Sequence, residues 1–92
     1  MMDVNELESA RARIEDIDRQ MAELFEQRMR CSDAIASYKR KNGIPISDPG
    51  REKLLEEKNV KYVENEAYRP YYIDFLKSVI GISRRYQIDI SS

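Results

Sequence analysis

Residues 7–38 read LESARARIEDIDRQMAELFEQRMRCSDAIASY, and their apolar side chains recur at alternating intervals of three and four residues. This seven-residue repeat predicts a long helix with one apolar stripe. The stripe consists of Leu7, Ala10, Ile14, Ile17, Met21, Leu24, Arg28, Cys31, Ile35 and Tyr38. Every side chain in it can enter a core except Arg28. Its guanidinium stays charged and is costly to bury unpaired, so it requires an anion from the protein or from a ligand.

The first helix is predicted to begin at Asp3 or Asn5, either of which can cap it, and to end near Lys41. Asn42 and Gly43 supply a C-terminal cap. At ~1.5 Å per residue this helix would be ~55 Å long, whereas a compact monomer of this length has a radius of gyration of only ~12 Å. The remaining residues cannot cover such a rod. The stripe is therefore expected to meet a second chain, which predicts a dimer.

Two shorter helices are predicted after the loop. Asp48 is expected to cap the second helix and Pro49 to be its first residue. This helix should end near Glu64 or Asn65, and its apolar residues are Leu54, Leu55, Tyr62 and Val63. The third helix should start between Glu66 and Pro70, and its stripe comprises Tyr72, Phe75, Leu76, Val79, Ile80, Ile82 and Tyr86. The tail from Asp89 to Ser92 is expected to fray.

Composition limits the class of protein. The chain has 92 residues, 36% of them charged and 41% hydrophobic, with no Trp, which predicts one soluble all-α domain spanning residues 1–92. A net charge of −1 provides no global field that would recruit nucleic acid or an anionic membrane. The N-terminus lacks the apolar run of a signal peptide, and no apolar stretch is long enough to cross a bilayer. A cytoplasmic protein is the expectation.

The residue inventory also limits the chemistry. No histidine is present, so the commonest general base and metal ligand are missing. The single cysteine, Cys31, cannot form an internal disulfide or a cysteine metal cluster, and its place on the stripe predicts a small core residue. We therefore expect no cofactor and no metal. Any anion-binding site must be built locally from Lys and Arg.

Three cations on the first helix are candidates for such a site. Lys39 lies eleven residues after Arg28, close to three helical turns and ~16 Å along the axis, so the two could bracket a small dianion. Arg28 could instead pair with a carboxylate as a registry device, and Lys39 could be a solvated lysine. Arg11 is ~25 Å from Arg28 on the same helix. In an antiparallel dimer with its axis near Met21 or Ala22, Arg11 of one chain would fall between Arg28 and Lys39 of the other.

The other helices add polar candidates. Ser83 and Gln87, spaced i, i+4, share the apolar stripe of the third helix, where buried polar groups require hydrogen-bond partners. Local bonding of Ser83 and an exposed Gln87 is the alternative. Arg51 and Glu52 open the second helix, where Glu52 is favoured by the helix dipole alone and Arg51 is less favoured. Arg84 and Arg85 are expected to face solvent or acidic neighbours.

This ordered set resembles the all-helical class of chorismate mutase, and the resemblance extends from Leu7 to Gln87. The residues that carry it are Arg11, Arg28, Lys39, Asp48, Arg51, Glu52, Ser83 and Gln87. The resemblance implies an intertwined homodimer of three-helix chains, in which each of two active sites is built from both chains. It also implies that the enzyme rearranges chorismate to prephenate, in the synthesis of phenylalanine and tyrosine.

Roles for single residues follow from the resemblance. It implies that Arg28 and the partner's Arg11 hold the two carboxylates of chorismate, assisted by Ser83, while Arg51 orients its neighbours. Lys39 and Gln87 are implied to donate hydrogen bonds to the ether oxygen of the bond that breaks.

The remaining implied roles concern the ring. Glu52 and the backbone at Asp48 would hold the ring hydroxyl, and the apolar walls would be Ile35 with Ile80 or Val79. The rearrangement needs no nucleophile, base or metal, which suits a chain without histidine. An isochorismate-pyruvate lyase with the same fold is one alternative, although Glu52 favours the mutase. A non-catalytic helical dimerisation module is another.

Overall fold

The computed structural model describes residues 3–91, which form three α-helices and two short 3-10 turns, with no strand in that range. The predicted all-α class is confirmed. The chain divides into two compact units, one ending at Cys31 and the other beginning at Ser32. Residues 1, 2 and 92 of the predicted domain lie outside the described residues. Across the described part of the chain, no helix combines the length and hydropathy that a membrane span requires.

Helix α1 covers Val4–Lys41, as predicted. Asp3 is the cap, because its Oδ1 accepts a hydrogen bond of 2.8 Å from the backbone N–H of Glu6. At the other end Gly43 adopts a positive φ of 65°, and the N–H of the next residue donates to the carbonyl of Lys39 at 2.8 Å. This left-handed residue closes the helix in the way that glycine allows without steric cost.

Helix α2 covers Pro49–Asn59, capped by Asp48, and the chain then tightens into a 3-10 turn at Val60–Tyr62. The predicted end near residue 64 was wrong. Val63 is extended, and its carbonyl accepts a hydrogen bond of 2.8 Å from the Nε of Arg69. The N–H of Val63 donates to the carbonyl of Val60 at 3.2 Å, which closes a 3-10 turn in place of a further α-helical turn.

Helix α3 covers Arg69–Ser91, with Pro70 tolerated in its first turn, and it follows a second 3-10 turn at Glu66–Tyr68. It continues to Ser91, so residues 89–91 of the tail that was expected to fray are helical, and Ser92 lies outside the described residues. Its buried residues are Leu76, Ile80, Ser83 and Gln87. These recur at helical spacing and form one face, so the polar pair predicted on the stripe is buried together with the aliphatic pair.

In the second unit, α1 contributes a face that was not predicted. Ser32 and Ala36 are buried, Ala36 completely, whereas the neighbouring stripe residues Cys31 and Ile35 are exposed. The prediction that Cys31 is a core residue was therefore wrong for the single chain. Small side chains allow close approach of the helix backbones, which explains why serine and alanine occupy this face.

In the first unit, the apolar stripe of α1 is not buried. Exposure ranges from 39% for Leu7 to 61% for Leu24, and Ile14, Ile17 and Met21 lie between these limits. A contiguous apolar face of this kind marks an interaction surface rather than ordinary scattered exposure.

Candidate active site

A buried polar cluster links α1 to α3 in the second unit. The hydroxyl oxygens of Ser32 and Ser83 are 2.6 Å apart, and the Nε2 of Gln87 donates to the Oγ of Ser83 at 3.2 Å. All three residues are at most 8% exposed. Ser83 and Gln87 are one helical turn apart, which places both side chains on the same face of α3. The two polar residues predicted on this helix are thus brought together.

The amide of Gln87 is incompletely paired. Its Oε1 is buried without a hydrogen-bond partner among the described residues. Leaving a buried acceptor without a hydrogen bond destabilises the fold by ~1–3 kcal/mol. Rotating the amide by half a turn would allow the Ser83 hydroxyl to donate to Oε1 and would release the two N–H donors of Nε2. The cluster can therefore supply a neutral hydrogen-bond donor to a bound molecule.

Lys39 supplies a positive charge in the same unit. It is half-buried, and its Nζ donates to the carbonyl of Ile46 at 3.0 Å, across the turn that ends α1. This contact fixes the position of a flexible side chain. Because an ammonium group carries three N–H donors, Lys39 can bind a further acceptor while it keeps Ile46.

The start of α2 holds three more predicted residues. The side-chain Oδ1 of Asp48 accepts a hydrogen bond of 3.1 Å from the backbone N–H of Arg51. The backbone carbonyl of Asp48 accepts one of 3.0 Å from the backbone N–H of Glu52. Asp48 and Arg51 are exposed, whereas Glu52 is half-buried. The cap therefore rigidifies the backbone that presents Glu52.

Glu52 forms an ion pair with Arg84, whose Nη1 donates to the Oε1 of the carboxylate. The two side chains are 23% and 40% exposed, respectively. Arg84 was expected to face solvent or an acidic neighbour, and the acidic neighbour is what the structure shows. Because Arg84 directly follows Ser83, the ion pair lies one residue along the chain from the buried cluster.

Arg11 and Arg28 lie in the first unit. Arg11 is exposed and Arg28 is half-buried. Seventeen residues separate them on α1, or ~25 Å along the axis, so one chain cannot bring both to one small ligand. Of the predicted wall residues, Ile80 is buried, Val79 is half-buried and Ile35 is 45% exposed.

Sequence reasoning missed Ser32 and the pairing of Arg84 with Glu52. A signal for Ser32 was present, because Ser32, Ala36 and Lys39 recur at i, i+4 and i+7 and so share a helix face. The stronger apolar stripe beside them concealed it. No local signal could identify the ion pair, because 32 residues separate its partners.

A second contact links α1 and α3 near this cluster. The hydroxyl of Tyr86 donates to the Oδ1 of Asp33 at 2.5 Å. This hydrogen bond, then burial, and then the negative charge of Asp33 raise the pKa of Tyr86 above its usual value of 10.0. Residues 3–91 contain no cluster of acidic or thiol side chains that could hold a metal ion.

An all-α chain that buries hydroxyl and amide donors, and that carries a half-buried ammonium group in the same unit, has the features of a helical enzyme that binds a small polar molecule. The family model for chorismate mutase type II matches residues 10–88. The chain therefore belongs to the chorismate mutase type II family and is a mutase-type isomerase with a small-molecule substrate.

One relative has a name that specifies its substrate. The chain is 28% identical over 80 residues to the 4-amino-4-deoxychorismate mutase of Streptomyces venezuelae. The aligned part covers 87% of this chain and 78% of that protein. No significant match is found among solved structures.

Proposed function

We propose that the chain rearranges chorismate to prephenate. The observation that carries this proposal is the buried Ser83–Gln87 pair, in which a neutral amide lies 8% exposed with one polar atom unpaired. A core without a ligand would favour apolar residues there, because burying an unpaired polar group destabilises the fold. Family membership supplies the class of reaction, and the residues supply its electrostatics.

The reaction is an intramolecular rearrangement in which the ether C–O bond breaks while a C–C bond forms between the enolpyruvyl methylene and the ring. No atom is gained or lost. The enzyme must hold a compact conformer and stabilise negative charge that develops on the ether oxygen. Donors fixed before the reaction do both, because they need no reorganisation in the transition state.

We assign the ether oxygen to Lys39 and Gln87. Lys39 is already oriented by the Ile46 carbonyl, and Gln87 is oriented by Ser83. An ammonium group and an amide that converge on the ether oxygen would bind it more strongly in the transition state, where negative charge develops, than in the ground state.

The other assignments concern binding. We assign the substrate carboxylates to Arg28, to the partner's Arg11 and to Ser83. Glu52 and the backbone at Asp48 are assigned to the ring hydroxyl, and Arg51 orients this turn. The Asp48 cap at the start of α2 supports the assignment of Glu52 to the ring hydroxyl, because it holds Glu52 on rigid backbone.

We further propose a homodimer with shared sites. The exposed stripe from Leu7 to Leu24 requires a cover, and its seven-residue repeat suits a second copy of the same helix. The ~25 Å between Arg11 and Arg28 supports the same arrangement, since only a partner chain could bring its Arg11 to a small ligand that Arg28 binds. We also propose that residues 1–92 form a single domain. We propose that the enzyme acts in the cytoplasm, in the synthesis of phenylalanine and tyrosine.

The second candidate substrate is 4-amino-4-deoxychorismate, which the name of the Streptomyces venezuelae relative favours. It differs from chorismate in the group on the ring that Glu52 is proposed to face. The same family fold and the same rearrangement would serve either substrate.

Product analysis tests the proposal. The purified chain is incubated with chorismate, 4-amino-4-deoxychorismate and isochorismate in turn, and the products are identified by mass spectrometry against uncatalysed controls. We expect prephenate from chorismate, at a rate that saturates with substrate. Release of pyruvate from isochorismate alone would establish the lyase, and no turnover of any substrate would leave a non-catalytic module.

A further inference from the structure

We propose that the ion pair between Arg84 and Glu52 makes the site select a ring hydroxyl over a ring ammonium group, so that Arg84 determines substrate specificity. The proposal rests on the proposed function, because it requires Glu52 to face the ring substituent. It adds a residue that acts through Glu52 and decides between the two candidate substrates.

The position of the ion pair supports this role. Glu52 lies in the first turn of α2, on backbone fixed by the Asp48 cap, and Arg84 reaches it from α3. Arg84 directly follows Ser83, a member of the buried cluster. Glu52 is 23% exposed and Arg84 is 40% exposed, so the ion pair is partly shielded from water. Charges in such a position interact more strongly than charges at an open surface.

The ion pair changes what the carboxylate can recognise. A carboxylate has two oxygens with about four acceptor positions, so Glu52 can bind Arg84 and still accept a hydrogen bond from a hydroxyl. Its negative charge, however, is compensated. An unpaired carboxylate would attract a cation strongly, whereas the positive charge of an adjacent guanidinium offsets much of that attraction. Because a guanidinium does not lose its proton under working conditions, this compensation is permanent.

The two candidate substrates differ in this charge. An aliphatic amine is mostly protonated at neutral pH, so the amino compound presents an ammonium group where chorismate presents a neutral hydroxyl. Bringing that ammonium group to Glu52 also brings it close to Arg84, and like charges at short range repel. The native protein should therefore favour chorismate.

A purely structural ion pair makes a different prediction. If Arg84 only holds α2 against α3, its loss should lower kcat/KM for both substrates by the same factor. A role in specificity should change the ratio of the two kcat/KM values. Loss of folded protein lowers both values by the same factor and leaves their ratio unchanged. The ratio is therefore the quantity to measure.

The experiment compares the native chain with three variants at position 84 on both substrates. Arg84→Met removes the charge while it keeps an unbranched side chain, Arg84→Gln removes it while it keeps hydrogen-bonding capacity, and Arg84→Lys keeps the charge. Arg85→Met is the matched control, because it deletes the same charge from the adjacent, exposed residue. Circular dichroism checks that each variant is folded.

We expect native protein to prefer chorismate and both neutral variants to shift the kcat/KM ratio about tenfold or more toward the amino compound, which corresponds to ~1.4 kcal/mol. Arg84→Lys and Arg85→Met should stay within about threefold of the native ratio. An unchanged ratio in the folded neutral variants, or an equal shift in Arg85→Met, would overturn the proposal.

The native protein gives a test that needs no variant. A native preference for the amino compound would overturn the role of Arg84 while leaving the mutase reaction intact. Turnover of neither compound would instead contradict the proposed function, and the inference with it. The two failures are thus distinguishable.

Discussion

Lys39 is the side chain whose removal tests the proposed chemistry most directly. It is half-buried and held at 3.0 Å by the Ile46 carbonyl, so its charge is positioned before substrate arrives. Removing one preorganised donor from a developing oxyanion costs a factor of about 10²–10³ in turnover. We therefore expect Lys39→Ala to reduce kcat by about a hundredfold or more.

The control for Lys39→Ala is Lys41→Ala, which removes the same charge two residues along α1 from an exposed position. Steady-state kinetics with chorismate should show near-native kcat for this control. If Lys39→Ala retained near-full activity, Lys39 would have no part in stabilising the ether oxygen.

Gln87 sets the expected pH dependence. A neutral amide donates a hydrogen bond at any pH, so native kcat should be flat between about pH 6 and pH 8. Gln87→Glu introduces a carboxyl that can donate only when protonated, and burial raises the pKa of such a group above its usual value of about 4.3. Its activity should be highest in acid and fall as the pH rises through that raised pKa.

The measurement for Gln87 is kcat as a function of pH for native protein and for Gln87→Glu, with circular dichroism at each pH. A native rate that increased only in acid would contradict a donor role for the neutral amide. A flat profile for the glutamate variant would show that position 87 donates no proton-dependent hydrogen bond.

At the scale of the helix ends, two glycines should respond in opposite ways to the same substitution. Gly50 lies within α2, and a Cβ there would meet only the Oδ1 of Asp48 at an ordinary 3.8 Å. Gly50→Ala should therefore stabilise the fold by ~0.5–1 kcal/mol. Gly43 has a positive φ of 65°, so Gly43→Ala should destabilise it by ~1–2 kcal/mol.

Urea unfolding at one fixed protein concentration measures both glycine effects as changes in the free energy of unfolding. Each variant serves as the control for the other, because both add one methyl group. A destabilised Gly50→Ala, or a stabilised Gly43→Ala, would contradict the backbone conformations described.

The Tyr86–Asp33 contact between α1 and α3 gives a second test at the scale of elements. Its hydrogen bond raises the pKa of Tyr86, so folding favours the neutral phenol. Its contribution to stability should be present below the usual tyrosine pKa of about 10 and lost as the pH rises through the raised value. Stability at neutral pH should thus be unaffected by this titration.

Ultraviolet difference titration of native protein against Tyr86→Phe isolates this tyrosine from the other five. We expect the Tyr86 signal to titrate at higher pH than the remaining tyrosines. A midpoint at or below theirs would show that the hydroxyl does not donate to Asp33 in solution.

For the whole molecule, the sharpest prediction concerns subunits that share a site. Arg11→Ala and Lys39→Ala should each be inactive alone. A heterodimer of the two would contain one site with native Lys39 and the partner's native Arg11. Random mixing should therefore restore about one quarter of native activity, since half of the dimers are mixed and each has one intact site.

The matched control mixes Lys39→Ala with Gln87→Ala. These residues are assigned to the same chain's share of the site, so no mixed dimer should contain an intact one. Native mass spectrometry verifies the heterodimers in both mixtures. Verified heterodimers of Arg11→Ala and Lys39→Ala that remained inactive would refute shared sites.

Local physics explains which features could be predicted from the sequence. The ends of α1 and the start of α2 depend on Asp3, Gly43, Asp48 and Pro49, whose effects act within one helical turn. The end of α2 could not be predicted in this way. Beyond it the chain tightens into a 3-10 turn, and the carbonyl of the extended Val63 accepts a hydrogen bond from Arg69, which lies outside that segment.

By itself the sequence determined an all-α chain, the polar pair on the apolar face of α3 and the long apolar stripe of α1, because periodicity and capping are properties of neighbouring residues. Only the tertiary structure decided that α1 buries Ser32 and Ala36 beside that stripe, and that Arg84 pairs with Glu52. Such choices depend on how closely distant helices approach and on which charges they bring together, and neither is encoded within a single helical turn.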